Sequence, residues 1–108
     1  MSEEISFEEA YAQAMNEAIL LLGDVVSRIV TDYIQNKYSI QITKTADNPA
    51  ALDEALKHAI DGGKIIIERR LVKLLYQKLG LQLNSEKTTS ENFVQRIETA
   101  RKLYKNKP

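Results

Sequence analysis

Cysteine is absent from the 108 residues, which excludes disulfides, thiolate metal sites and a cysteine nucleophile. Histidine occurs once, as His58, and a metal centre would need partners that the chain does not supply. The longest apolar run is Ala18–Leu22, far short of the roughly 20 residues that cross a bilayer. The opening residues, with Glu3 and Glu4, lack the character of a signal or transit peptide. Also missing are a glycine-rich phosphate loop, G-x-S-x-G, H-E-x-x-H and an EF-hand pattern. Gly62-Gly63 is a turn, too little for a P-loop. The expectation is a cytoplasmic protein with no cofactor, no metal and no membrane partner.

What is present is ordinary globular material, 44% hydrophobic and 28% charged. At this length it predicts a single domain over residues 1–108, burying about two-thirds of its unfolded surface. The net charge of zero hides a split. Residues 1–54 hold 3 Lys/Arg against 10 Asp/Glu, and residues 55–108 hold 12 against 5. Such asymmetry serves a polyanion, head-to-tail association, attraction between two halves of one fold, or simple solvation.

The chain also matches itself at an offset of 41 residues. Ala10/Ala51, Ala14/Ala55, Ala18/Ala59, Ile19/Ile60, Arg28/Arg69, Lys37/Lys78 and Gln41/Gln82 are identical pairs. A third, partial copy puts Phe93 in register with Tyr11 and Leu52, and Ile97 in register with Met15 and Leu56. A period of this length marks a repeated supersecondary unit. The units run over about 6–42, 47–83 and, in part, 88–104.

Apolar spacing makes each unit two helices and an arm. Ser6 and Glu9 offer a capping box, and Phe7, Tyr11, Ala14, Met15, Ala18, Ile19 and Leu22 form one face. Gly23-Asp24 offers either a break, with Asp24 as the next N-cap, or a costly glycine inside one long helix; Gly62 and Gly63 at the same phase of the second unit favour the break. Val25, Val26, Ile29, Val30, Tyr33 and Ile34 then read as the apolar side of a second helix. The alternation of Tyr38–Thr43 and of Leu79–Asn84 suggests two short extended arms, which either pair or pin their apolar side chains onto the helices. Asp47 is the expected cap of the third helix, with Pro49 in its first turn. The fourth, about Lys64–Leu79, is apolar over half its circumference and reads as the most buried element. Thr88 and Glu91 offer a box for a last helix. The predicted fold is all-α, a compact bundle of about five helices with pseudo-twofold symmetry.

An Ala/Leu-rich helix, a glycine turn and a helix ending in KYSI or KLGL, over roughly Phe7–Leu81, resembles a group of small all-helical archaeal proteins built from duplicated helical hairpins. The resemblance implies the fold and no activity.

Three constellations carry chemistry. His58 lies at the edge of its helix's apolar stripe and reads as an exposed or flanking residue. Glu68 falls inside the apolar arc of the fourth helix, where a carboxylate must be paired, protonated or at an interface; Lys64 is its nearest local partner. Arg69, Arg70 and Lys73, with Arg96 and Arg101 on the last helix, would form a basic strip for phosphates if the two helices are neighbours. No aromatic residue stands among them for base stacking. Tyr11, Tyr33, Tyr38, Leu20 and Ile66 supply apolar or amphipathic surface beyond what a small bundle must bury. The expected function is therefore a non-enzymatic interaction or self-association module, a homodimer. The alternatives are a nucleic-acid-binding accessory protein using the basic half, and a small enzyme using His58 with Glu68.

Overall fold

The computed structural model describes residues 5–82 and 92–106. Five α-helices account for most of them: α1 (Phe7–Ile19), α2 (Asp24–Tyr38), α3 (Pro49–Ile60), α4 (Lys64–Leu79) and α5 (Phe93–Lys105). No strand occurs among the described residues, and no helix among them is long and apolar enough to cross a membrane.

Helix starts follow local chemistry, with shifts of register. Ser6 Oγ accepts from Glu9 N at 3.0 Å; the Glu9 carboxylate takes the Ser6 hydroxyl, so only half of the expected box forms. Gly23, at φ +87°, breaks the chain after a 3-10 turn over Leu20–Leu22. It occupies the cap position expected for Asp24, which becomes the first helical residue. The third helix is capped by Asn48, whose Oδ1 accepts from Ala51 N at 3.3 Å, one residue beyond the predicted Asp47. Asp47 is instead claimed by Arg101 at 3.0 Å. Thr88 and Glu91 lie outside the described residues. The described start of α5 is a complete box one turn later, where Asn92 and Gln95 exchange bonds of 2.9 and 3.0 Å.

The first extended arm is not a strand, and of the second only residues 79–82 are described, none of them in a strand. Ser39 (φ 56°) and Gly80 (φ 68°) end α2 and α4 in the left-handed conformation, at positions 41 apart. The chain after Ser39 enters a 3-10 turn, Ile42–Lys44, packed against α1. Ile42 is buried and Ile40 half-buried, so the alternation pins side chains onto helices. A lone arm has no neighbouring strand to satisfy its backbone, whereas a tight turn satisfies part of it internally.

The two repeats interlock. The main packing is α1 against α4, and its counterpart by the 41-residue offset is α3 against α2. Glu17 on α1 pairs with Lys78 on α4. The equivalent places hold His58 and Lys37, and there Tyr38 stacks on His58 with centroids 6.4 Å apart. The core gathers Tyr11, Met15, Ile34, Leu52, Leu56, Ile67, Leu71, Leu75 and Ile97, all fully buried. The partial third copy is also visible here. Phe93, Ile97 and Ala100 are buried at the phase of Tyr11, Met15 and Ala18, so α5 uses the first-helix face to pack on α3 and α4.

Arg101 fastens α5 to the first half. Its guanidinium donates to Glu8 (3.2 Å), the Ala46 carbonyl (2.6 Å) and Asp47 (3.0 Å), and lies 4.5 Å from the Phe7 ring centroid. Tyr104 Oη donates to the Ile5 carbonyl on the same side. Part of the charge split is thereby used inside one chain, with Glu8, Glu17 and Asp47 facing Lys78 and Arg101.

Candidate docking surface

Helix α2 buries too little of its apolar side. A helix turns about 100° per residue, so Val30, Ile34 and Ser27 share one face and enter the core. Val25, Ile29 and Tyr33, at i, i+4 and i+8, share another with Val26 beside them. That second face points to solvent: Val25 is 70% and Ile29 62% exposed, and Val26 and Tyr33 are also open. Leu20 and Leu21 extend the apolar surface from the preceding turn. The single broad side read from the sequence is two faces, because among the described residues the main packing along this helix comes from α3 and the flanking turns.

The second repeat provides an internal comparison. At the positions of Val25, Val26, Ile29 and Tyr33, helix α4 has Ile66, Ile67, Arg70 and Leu74. Ile67 and Leu74 are buried there, and Arg70 stands in water between exposed Ile66 and Lys73. The same place in the same supersecondary unit is thus solvated by a cation in one repeat and left apolar in the other. The fold does not require an isoleucine at position 29. Contiguous exposed apolar surface on a small domain marks a contact site.

The buried carboxyl forms a second cluster. Glu68 is only 7% exposed, and its Oε2 has no hydrogen-bond donor to accept from. Burial pushes its pKa up to about 9, aided by the hydrogen bond and the charge of the facing Asp53 and opposed by Lys64. A proton held on Glu68 and donated to Asp53 answers the missing donor. Asp53 is held below its ordinary value by that bond, with help from Lys64, whose Nζ stands 3.0 Å away. The expected Lys64–Glu68 pairing is corrected: Lys64 goes to Asp53 on α3. Beside this cluster, Ile65, Glu68, Arg69, Val72, Phe93 and Arg96 line an open cleft of about 170 Å³ between α4 and α5.

The remaining predicted residues disperse. His58 pairs with Glu54 at 2.9 Å on the exposed side of α3, an environment unlike that of buried Glu68, so the two form no common site. Arg69, Arg70 and Lys73 are exposed along α4. Helices α4 and α5 are indeed neighbours, yet Arg96 is half-buried in the cleft and Arg101 is engaged with Glu8, Ala46 and Asp47. The five do not make one open strip. Buried Tyr11, whose hydroxyl lies 2.7 Å from Thr45 Oγ1, has its pKa pushed up to about 12, chiefly by burial, and serves the core.

No protein-family model, curated protein or solved structure matches this chain. The surfaces themselves carry the functional reading.

Proposed function

We propose that the chain is a non-enzymatic, cytoplasmic protein-interaction module that docks through the outward face of α2. The observation that carries this is the open apolar set of Val25, Val26, Ile29 and Tyr33, set against Arg70 at the matching place in the other repeat. Fully burying an exposed Val or Ile side chain contributes about 1.5–3 kcal/mol, and Val25 and Ile29, 70% and 62% exposed, leave a partner the larger part of that to gain. The basic face of α4 supports nucleic-acid binding less well, since Arg96 and Arg101 do not join it.

Ile29→Arg copies the residue of the second repeat into the first and tests this directly. Stability to urea is expected to change by less than about 0.5 kcal/mol, as for surface positions generally. Association of the chain, with itself in light scattering or with another protein in a binding assay, is expected to be lost. Unfolding of the variant would make the face part of the core. Association that survives the charge would place docking elsewhere. Either result contradicts the reading.

A further inference from the structure

The edge of the α2 face has a charge pattern that is complementary to itself. Arg28 and Asp32 lie one turn apart along the same side of Val25 and Ile29, both exposed. Spaced i, i+4, they stand where an intrahelical ion pair is available, yet neither makes one among the described residues. The cation and the anion are centred on the level of Val30, about 1.5 Å along the helix from Ile29. Across the apolar face, Lys37 rests 5.5 Å from the Tyr33 ring centroid and marks the other edge near the C-terminal end.

We propose that the partner of this face is a second copy of the chain, with the two α2 helices packed antiparallel about a twofold axis at Ile29. The proposal rests on the docking reading above and adds the identity and orientation of the occupant. An isologous contact requires each residue of the patch to meet a complementary one on an identical patch. Antiparallel packing centred there meets that requirement. Ile29 faces its own copy, Val25 stands level with Tyr33 of the other copy with Val26 beside it, and Arg28 lies within about 3 Å along the axis of the other copy's Asp32, twice. Parallel packing about a twofold along the helices instead sets the Arg28–Asp32 edge against the Lys37 edge of the other copy, which leaves Arg28 without an acidic partner, and it aligns the two helix dipoles unfavourably. Ion pairs at such a rim select orientation more than they add affinity. One helix face per copy is a small interface, so the dimer is a weak, exchanging one.

The absence of native cysteine allows disulfide mapping of the full chain. Under mild oxidation Ile29→Cys is expected to couple to itself. Val25→Cys and Tyr33→Cys are not, because their copies lie about 12 Å apart along the axis, beyond the ~7 Å between Cα atoms that a disulfide spans. Mixed together, these two variants couple to each other. In the Ile29→Cys background, Arg28→Asp alone or Asp32→Arg alone lowers the coupled fraction, and the two together restore it. Circular dichroism of each variant confirms that the helices persist. Equal self-coupling of all three single variants means parallel packing and overturns this inference while leaving α2 as the docking face. A dimer by sedimentation with no coupling at any of the three positions overturns both. A chain that sediments as a monomer up to millimolar concentration overturns the second copy as partner, and the Ile29→Arg binding assay then judges the docking face alone.

Discussion

Replacing Leu75 by alanine is expected to remove about 2–5 kcal/mol of stability, the range for fully buried leucines. Leu71→Ala is expected to cost as much, since both side chains have no exposure and sit at the centre of the α1–α4 packing. The loss has two parts: the transfer free energy of the deleted methyl groups and the cavity that surrounding helices cannot close. At the matching phase of the first repeat stand Val30 and Ile34, and Ile34 is likewise fully buried. Ile29, one residue from Val30, is expected to tolerate alanine within about 0.5 kcal/mol. Urea denaturation of these variants measures the contrast between a core face and an open face. Similar losses at Leu75 and Ile29 would mean that the two faces of α2 are wrongly separated.

The second large effect is a dependence on pH. Glu68 has a folded pKa of about 9 against an ordinary value of 4.5, so the folded chain keeps a proton that the unfolded chain releases. A carboxyl with a raised pKa contributes its full stability below the unfolded value of 4.5 and loses it as pH climbs toward about 9. Within that window the slope is about 1.4 kcal/mol per pH unit for one proton. Asp53 acts with the opposite sign: its folded pKa is lowered, so its contribution is present above the ordinary value and lost in acid. Glu68→Gln preserves a donor toward Asp53 and cannot ionise. It is expected to raise stability at pH 7 by about 1–3 kcal/mol and to flatten the decline between pH 5 and 9. Urea midpoints measured across that range decide. A variant as sloped as the parent, or less stable at pH 7, would show that Glu68 is not the group that holds the proton.

The helical architecture was legible because it depends on spacing. Apolar residues at helical intervals, Gly23 and the 41-residue offset place α1 to α4 within a residue or two. The caps slipped where two candidates stood side by side. Asp47 and Asn48 both have capping side chains, and Pro49 fits the first turn after either. Arg101, 54 residues away, draws Asp47 off, a contact that no local pattern announces. The arms misled for a related reason: period-2 alternation reports which side chains are buried, and a pinned turn buries Ile42 as well as a strand would. The position of Glu68 inside an apolar arc was readable from its helix alone. Its partner was not, because Asp53 comes from the preceding helix.

The docking face was half legible. Excess apolar surface was anticipated from Tyr11, Tyr33, Tyr38, Leu20 and Ile66, of which Leu20, Tyr33 and Ile66 are exposed while Tyr11 is buried in the core and Tyr38 half-buried; Val25, Val26 and Ile29 read as core together with Val30 and Ile34. For Ile29 a separating signal was already present in the repeat, since it aligns with Arg70, whereas Val25 and Val26 align with Ile66 and Ile67 and carry none. A position that carries arginine in one copy of a unit is not a core position of that unit.

The central claim is that the outward face of α2 is left bare by its own chain and covered by another. Broadening of methyl resonances by a soluble paramagnetic agent reports this residue by residue. In dilute solution Val25, Val26 and Ile29 are expected to broaden strongly while Val30 and Ile34 stay sharp. On concentrating the protein, the first three are expected to regain protection and Ile66 on α4 to remain exposed. Protection of Val25 and Ile29 at every dilution, or equal broadening at all concentrations, would contradict the account.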